Sequence, residues 1–161
     1  MTSIIEFQTE FEIGIEDLWN AITKAKFDVL RKAAPHLPID AQVVESDGGP
    51  CPVVSITIRS ATPPLSPFKE KMVKYDETSH AVSFQAIDGG LLELGFAYYN
   101  VSFKLDDLGE DKTLTKTTII YEIVKDFDGT QVVKEFAKLI DEYIKTVVNY
   151  LQQQKLQEMN S

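Results

Sequence analysis

Cysteine is almost absent: Cys51 is the single one in 161 residues, which excludes an internal disulfide framework and a thiolate metal cluster. It sits in a loop with no sequence-visible base, so no nucleophilic role is assigned to it. Histidine is nearly as scarce. His36 lies between Pro35 and Pro38, His80 follows a turn, and neither has a partner at metal-ligand spacing, so both read as solvated loop residues. Basic charge is in deficit, with 16 Lys and Arg against 25 Asp and Glu and a net charge of −9. Phosphate backbones and anionic membrane surfaces are held by Lys and Arg, so nucleic acid and membrane are disfavoured as partners. No apolar run approaches the ~18 residues of a membrane span. The first residues carry charges every few positions, with no run of signal-peptide length. These absences leave a cytoplasmic protein, a monomer or weak dimer, with no metal or other cofactor expected.

What is present fits one domain over residues 1–161. At this size roughly 70% of the unfolded chain's surface is buried on folding, so no metal or disulfide is needed for stability. Ile5, Phe7 and Phe11 alternate with Glu6, Gln8, Glu10 and Glu12, the period of a half-buried strand over Ser3–Ile13. Gly14 ends it. Ile15, Leu18, Trp19 and Ile22 recur at helical spacing, and Phe27, Leu30 and Arg31 suggest a second short helix ending before Pro35; the two are expected to form a V. Period-2 strands are then predicted over Ala41–Glu45, Val53–Arg59, Phe68–Tyr75, Ala81–Ile87, Leu94–Leu105 and Thr113–Val124. Asp47-Gly48-Gly49-Pro50, Pro63-Pro64, Asp76-Glu77-Thr78, Asp88-Gly89-Gly90 and Asp106-Asp107-Leu108-Gly109 separate them, the turn chemistry of an antiparallel meander. From Thr130, the predicted N-cap, a helix of about 25 residues carries a wide apolar stripe, Val132, Phe136, Leu139, Tyr143, Val147 and Tyr150, broadened by Val133, Ala137, Ile140, Ile144, Val148 and Leu151. The sheet must curl around this helix, and space can remain between them.

Within Phe68–Tyr75, Lys69, Lys71 and Val73 share one face and Phe68, Glu70 and Met72 the other. Two lysines mark the first face as solvent, so Glu70 is predicted to point inward, where a carboxylate needs a partner or a raised pKa. The alternative is that the strand curls and Glu70 pairs with a neighbouring lysine. Tyr99 shares a face with Ala97, Val101 and Phe103, so it and not Tyr98 is the inward tyrosine. Tyr143 is central on the helix stripe. Val82 and Phe84 are expected to line the same interior, completed by Phe136, Leu139 and Ile140. The bland reading of these aromatics is plain core with locally satisfied hydroxyls.

The order of elements, with Asp47-Gly48-Gly49 after the second strand and Asp88-Gly89-Gly90 before the sixth, resembles the plant pathogenesis-related class-10 or birch-pollen-allergen superfamily. The segments Tyr75–His80, Gly89–Tyr99 and Glu110–Leu114 are most similar to its cytokinin-specific or phytohormone-binding branch, while Phe68–Lys74 resembles the norcoclaurine synthases. The resemblance implies an α+β helix-grip fold: a curved seven-stranded antiparallel sheet around the long C-terminal helix, two short helices and a large internal cavity. It implies a small, largely apolar plant ligand, a phytohormone such as a cytokinin or gibberellin or a secondary metabolite. Phe68, Glu70, Met72, Val82, Phe84, Tyr99, Phe136, Leu139, Ile140 and Tyr143 are the candidate ligand-binding residues. In the hormone-binding branch the glutamate aligned with Glu70 and the tyrosine matched by Tyr143 contact the ligand.

The alternative is a lyase, cyclase or isomerase of alkaloid-type metabolism with Glu70 as base, since the aligned glutamate belongs to the synthases' catalytic set. The synthases' tyrosine is Phe68 here and their lysine aligns with Val82, so formation of norcoclaurine itself is not expected. A ribonuclease reading finds no support in the charge balance or in any His/Glu pairing. The family's glycine-rich loop is also altered. Gly48-Gly49 is followed by Pro50-Cys51-Pro52, and the prolines remove N–H donors that phosphate binding would need.

Overall fold

Alternation at the start of the chain becomes strand β1 (Thr2–Phe11), in which exposed and half-buried residues alternate throughout. The computed structural model describes residues 2–33, 39–45, 52–58, 67–124 and 126–160. The Asp47–Cys51 turn, His36 and the Pro63-Pro64 turn lie outside the described residues. Helices α1 (Ile15–Ile22) and α2 (Lys26–Ala33) follow. Glu16 and Asp17 in the first turn of α1 complement its dipole, as Asp28 at the start and Arg31 and Lys32 at the end do for α2.

The period-2 segments form β2 (Ile39–Glu45), β3 (Val53–Ile58), β4 (Phe68–Asp76), β5 (Ala81–Gly89), β6 (Phe96–Gly109) and β7 (Lys112–Ile123). Together with β1 they make a seven-stranded sheet in the order β1-β7-β6-β5-β4-β3-β2, and every pairing is antiparallel. The sheet is an open meander whose edges are β1 and β2. Bulges between Lys69 and Glu70, and between Met72 and Lys74, interrupt the β4–β5 ladder; bulges bend strands and raise local twist.

The long helix α4 (Thr130–Met159) turns Val133, Phe136, Tyr143, Ile144, Val147 and Val148 to the core, which is the predicted stripe. It runs five residues beyond the expected length, because no glycine or proline stops it before Asn160. Gly129, not Thr130, occupies the N-cap position, and the Thr130 amide donates to Asp128 Oδ1 at 3.1 Å. No helix among the described residues is long and apolar enough to cross a membrane.

Three further details depart from the sequence reading. A short helix, α3 (Leu91–Leu94), precedes β6 where strand was predicted to begin. Gly90 and Gly95 bracket it at φ 56° and 132°, values that favour glycine. A Cβ on Gly90 would also lie 2.8 Å from the Phe68 ring. Ala97 is exposed rather than inward, because a bulge between Phe96 and Tyr98 breaks the alternation before Tyr99 resumes it. His80 is not a solvated loop residue. Its Nε2–H donates to Glu16 Oε1 at 2.7 Å and its ring meets Trp19 edge-on, tying the β4–β5 turn to α1. Only the fold brings together that His/Glu pair, 64 positions apart.

Candidate functional site

Two spaces open beside α2, one against the sheet and the α1–α2 junction and one between the sheet, α2 and α4. The outer pocket, about 370 Å³, is bordered by Thr23, Lys24 and Phe27 of the α1–α2 region and by Val54, Met72, Tyr75 and others of the sheet. The inner cavity, about 60 Å³, lies against the middle of α4. Lys26, Glu70 and Phe84 border both. The outer volume falls within the roughly 300–1,000 Å³ of small-molecule pockets. The inner one holds only a few atoms unless side chains shift.

Of the candidate residues, Phe68, Glu70, Phe84, Tyr99, Phe136, Leu139, Ile140 and Tyr143 converge on the inner cavity, while Met72 lines the outer pocket. Val82 is fully buried but borders neither. It lies opposite Tyr75 and Phe103 in the sheet register, near the end where Trp19 packs on Tyr75. An aromatic chain organises the inner wall. Tyr99 meets Phe136 edge-to-face at 4.7 Å between centroids, and Phe103 contacts both Phe84 and Tyr143. Such pairs contribute about 0.5–1.5 kcal/mol each beyond area burial.

Alternation along β4 holds as read: Phe68, Glu70 and Met72 are buried and Lys69 and Lys71 exposed. Glu70 does not stand alone inside. It faces inward and also pairs with a lysine, drawn from α2 and not from its own strand: Lys26 Nζ lies 3.4 Å from Glu70 Oε1. Each side chain is about 10% exposed, and the ammonium sits 3.6 Å from the centre of the Phe84 ring, a cation–π contact.

Lys26 lines both spaces and is absent from the candidates read from the sequence. Its signal was present. Lys26, Val29, Leu30 and Ala33 recur at i, i+3, i+4 and i+7 and form the buried face of α2, so a lysine stood on an apolar helical stripe. Burial pushes its pKa below the ordinary lysine value, and the Glu70 carboxylate partly opposes that shift. Burial, and secondarily the negative charge of Glu70, raises the phenols of Tyr99 and Tyr143 above the usual tyrosine value. Both therefore stay neutral donors. Neither hydroxyl has a hydrogen-bond partner in the structure. An apolar space thus holds one cation, one anion and two unsatisfied phenols. Among the described residues no cluster of His, Cys, Asp and Glu is arranged to hold a metal ion.

With this geometry in place, relatives become informative. The model of the pathogenesis-related protein Bet v 1 family matches residues 2–154. The chain belongs to that family. It is 24% identical over 124 residues to norbelladine synthase of Narcissus pseudonarcissus, covering 76% of each chain. It is 25% identical over 152 residues to the major strawberry allergen Fra a 1-E of Fragaria ananassa, covering 88% of this chain and 94% of the allergen. Against S-norcoclaurine synthase 1 of Papaver somniferum it spans 64% of that protein's length. Norcoclaurine synthase of Thalictrum flavum, solved in complex with dopamine and hydroxybenzaldehyde, shares the fold with a TM-score of 0.78 at 19% identity, covering 95% of this chain and 88% of the synthase.

Proposed function

We propose that the protein binds a small, largely apolar plant molecule with one polar end, a phytohormone such as a cytokinin or gibberellin or a secondary metabolite, in the space between β4–β6, α2 and α4. The carrying observation is the pair of buried, unpartnered hydroxyls of Tyr99 and Tyr143 beside the Lys26–Glu70 pair. Buried polar groups are nearly always hydrogen-bonded, and an ion pair surrounded by aromatics is a poor choice if stability alone were served. A ligand whose polar end reaches these groups satisfies them, while its body lies against Phe84, Phe136 and Leu139. Every group named comes from one chain, so a monomer suffices. The acidic balance and lone cysteine fit a cytoplasmic location.

The family supports this reading at its coarse level, since Bet v 1 family members bind hydrophobic ligands. A second reading, a lyase or cyclase with Glu70 as base, draws on the named synthase relatives and on the discovery that an amine stands beside Glu70 in the pocket.

The test is calorimetric titration of wild type and Glu70→Gln with a series of apolar ligands that do or do not present an N–H or O–H. A hydrogen bond to a charged group contributes about 1.5–3 kcal/mol, and that loss is expected for the hydrogen-bonding members only. Equal affinities across the series would assign Glu70 to a purely structural pair.

A further inference from the structure

A buried lysine is rare unless paired, and Lys26 is paired weakly. Its contact with Glu70, at 3.4 Å, is at the long end for a hydrogen bond. An ammonium has three N–H donors, and the described residues offer this one no acceptor besides Glu70. The rest of its surroundings are the face of Phe84 and the two spaces it separates. Lys24 and Lys32, close by in the chain, are exposed and held above the ordinary lysine pKa by Glu77 and Asp28 respectively. Lys26 is shifted the opposite way, chiefly by burial. Desolvation in an apolar pocket activates lysine toward carbonyl carbon, and the adjacent carboxylate can take the proton that the amine must lose.

We propose that Lys26 is the nucleophile of a reversible imine site for small apolar aldehydes, a role that rests on the cavity being the binding site. Glu70 accepts a proton from the ammonium and frees the nitrogen lone pair. Nζ attacks the carbonyl carbon, a C–N bond forms, and the C=O π pair moves to oxygen, which takes the proton back from Glu70. Glu70 then removes a second proton from nitrogen and delivers it to the hydroxyl, which leaves as water while the nitrogen lone pair closes the C=N bond. An ammonium and an aldehyde become a protonated imine and water, with no oxidant or reductant required. The starting ammonium and the final protonated imine carry the same positive charge beside Glu70 and over Phe84, so forming the imine does not strand the carboxylate. Tyr99 and Tyr143, which line the inner cavity, are the donors for the carbonyl oxygen.

The experiment treats the protein with benzaldehyde at neutral pH, traps imine with cyanoborohydride and locates the benzyl group by peptide mass. Benzyl alcohol, which lacks the carbonyl, serves as competitor, and its own binding is measured by calorimetry. Saturable labelling is expected with most of the label on Lys26, whose pKa is lowered, rather than on Lys24 or Lys32, whose pKa values are raised. Benzyl alcohol should suppress it. Lys26→Arg, which keeps the charge, should lose the label while retaining the wild-type circular dichroism spectrum. In Glu70→Gln the label should still map to Lys26, because the amine remains and is freer without the carboxylate that raises its pKa. The wild-type map decides the matter even if a variant misfolds. Benzyl alcohol binding with label spread over the exposed lysines would overturn the imine site and leave the cavity standing. Spread label with no alcohol binding would overturn both.

Discussion

The two ends of the interior are built to different rules. At the α1 end, Leu18, Trp19, Ile22, Leu105 and Val147 are all 2% exposed or less. Two threonines there are matched, Thr23 Oγ1 donating to the Trp19 carbonyl at 2.6 Å and Thr113 Oγ1 to the Ile13 carbonyl at 2.7 Å, while Trp19 Nε1 and Thr115 Oγ1 have no partner. At the α2 end the same sheet and the same long helix leave two spaces, a long ion pair and two phenols without partners. Composition does not distinguish these ends, since both are aromatic and aliphatic. Only the α2 end gathers a buried cation, its carboxylate and two phenols around shared apolar space, the features of a binding site rather than a core.

The largest expected effect falls on the filled end. Leu18→Ala should cost about 2–5 kcal/mol in urea unfolding, the range for truncating a buried leucine. Leu139→Ala should cost clearly less, because that side chain is only half-buried and borders existing space. Equal losses would erase the contrast.

The next effect concerns the ion pair. Glu70→Gln leaves Lys26 buried without its carboxylate, and breaking a buried pair costs about 3–5 kcal/mol. Loss of a proton from Lys26 limits this, so about 3 kcal/mol is expected at neutral pH. Lys26 is shifted below 10.5 when folded. Between its folded pKa and 10.5 the unfolded chain therefore binds more protons, and stability rises with pH across that window. The rise should be steeper in Glu70→Gln, where nothing opposes the desolvation. Adding Lys26→Met to Glu70→Gln should restore most of the loss. Failure of the double variant to recover, together with a flat pH profile, would show that the pair is better solvated than its burial implies.

Much of this architecture was legible because it is local. Strand alternation put Glu70 and Tyr99 inside, and helical spacing put Phe136, Leu139, Ile140 and Tyr143 on one stripe. What escaped was non-local or too short to carry a period. Lys26 and Glu70 are 44 positions apart, so their pairing depends on how α2 settles on the sheet. The four residues of α3 make barely one turn, and the bulge at Phe96–Tyr98 reverses the facing of Ala97 with no marker in its neighbours. Val82 shares a face with Phe84 and still borders neither space, because alternation fixes direction and not position along the cavity.

Titration with 8-anilinonaphthalene-sulfonate, followed by fluorescence and by thermal unfolding, tests most directly whether the α2 end holds a ligand. Saturable binding to the native protein at neutral pH is expected, with a raised unfolding midpoint and unchanged stoichiometry in Leu139→Ala. Emission that rises only in acid, where native packing is lost and apolar surface is exposed, would contradict it.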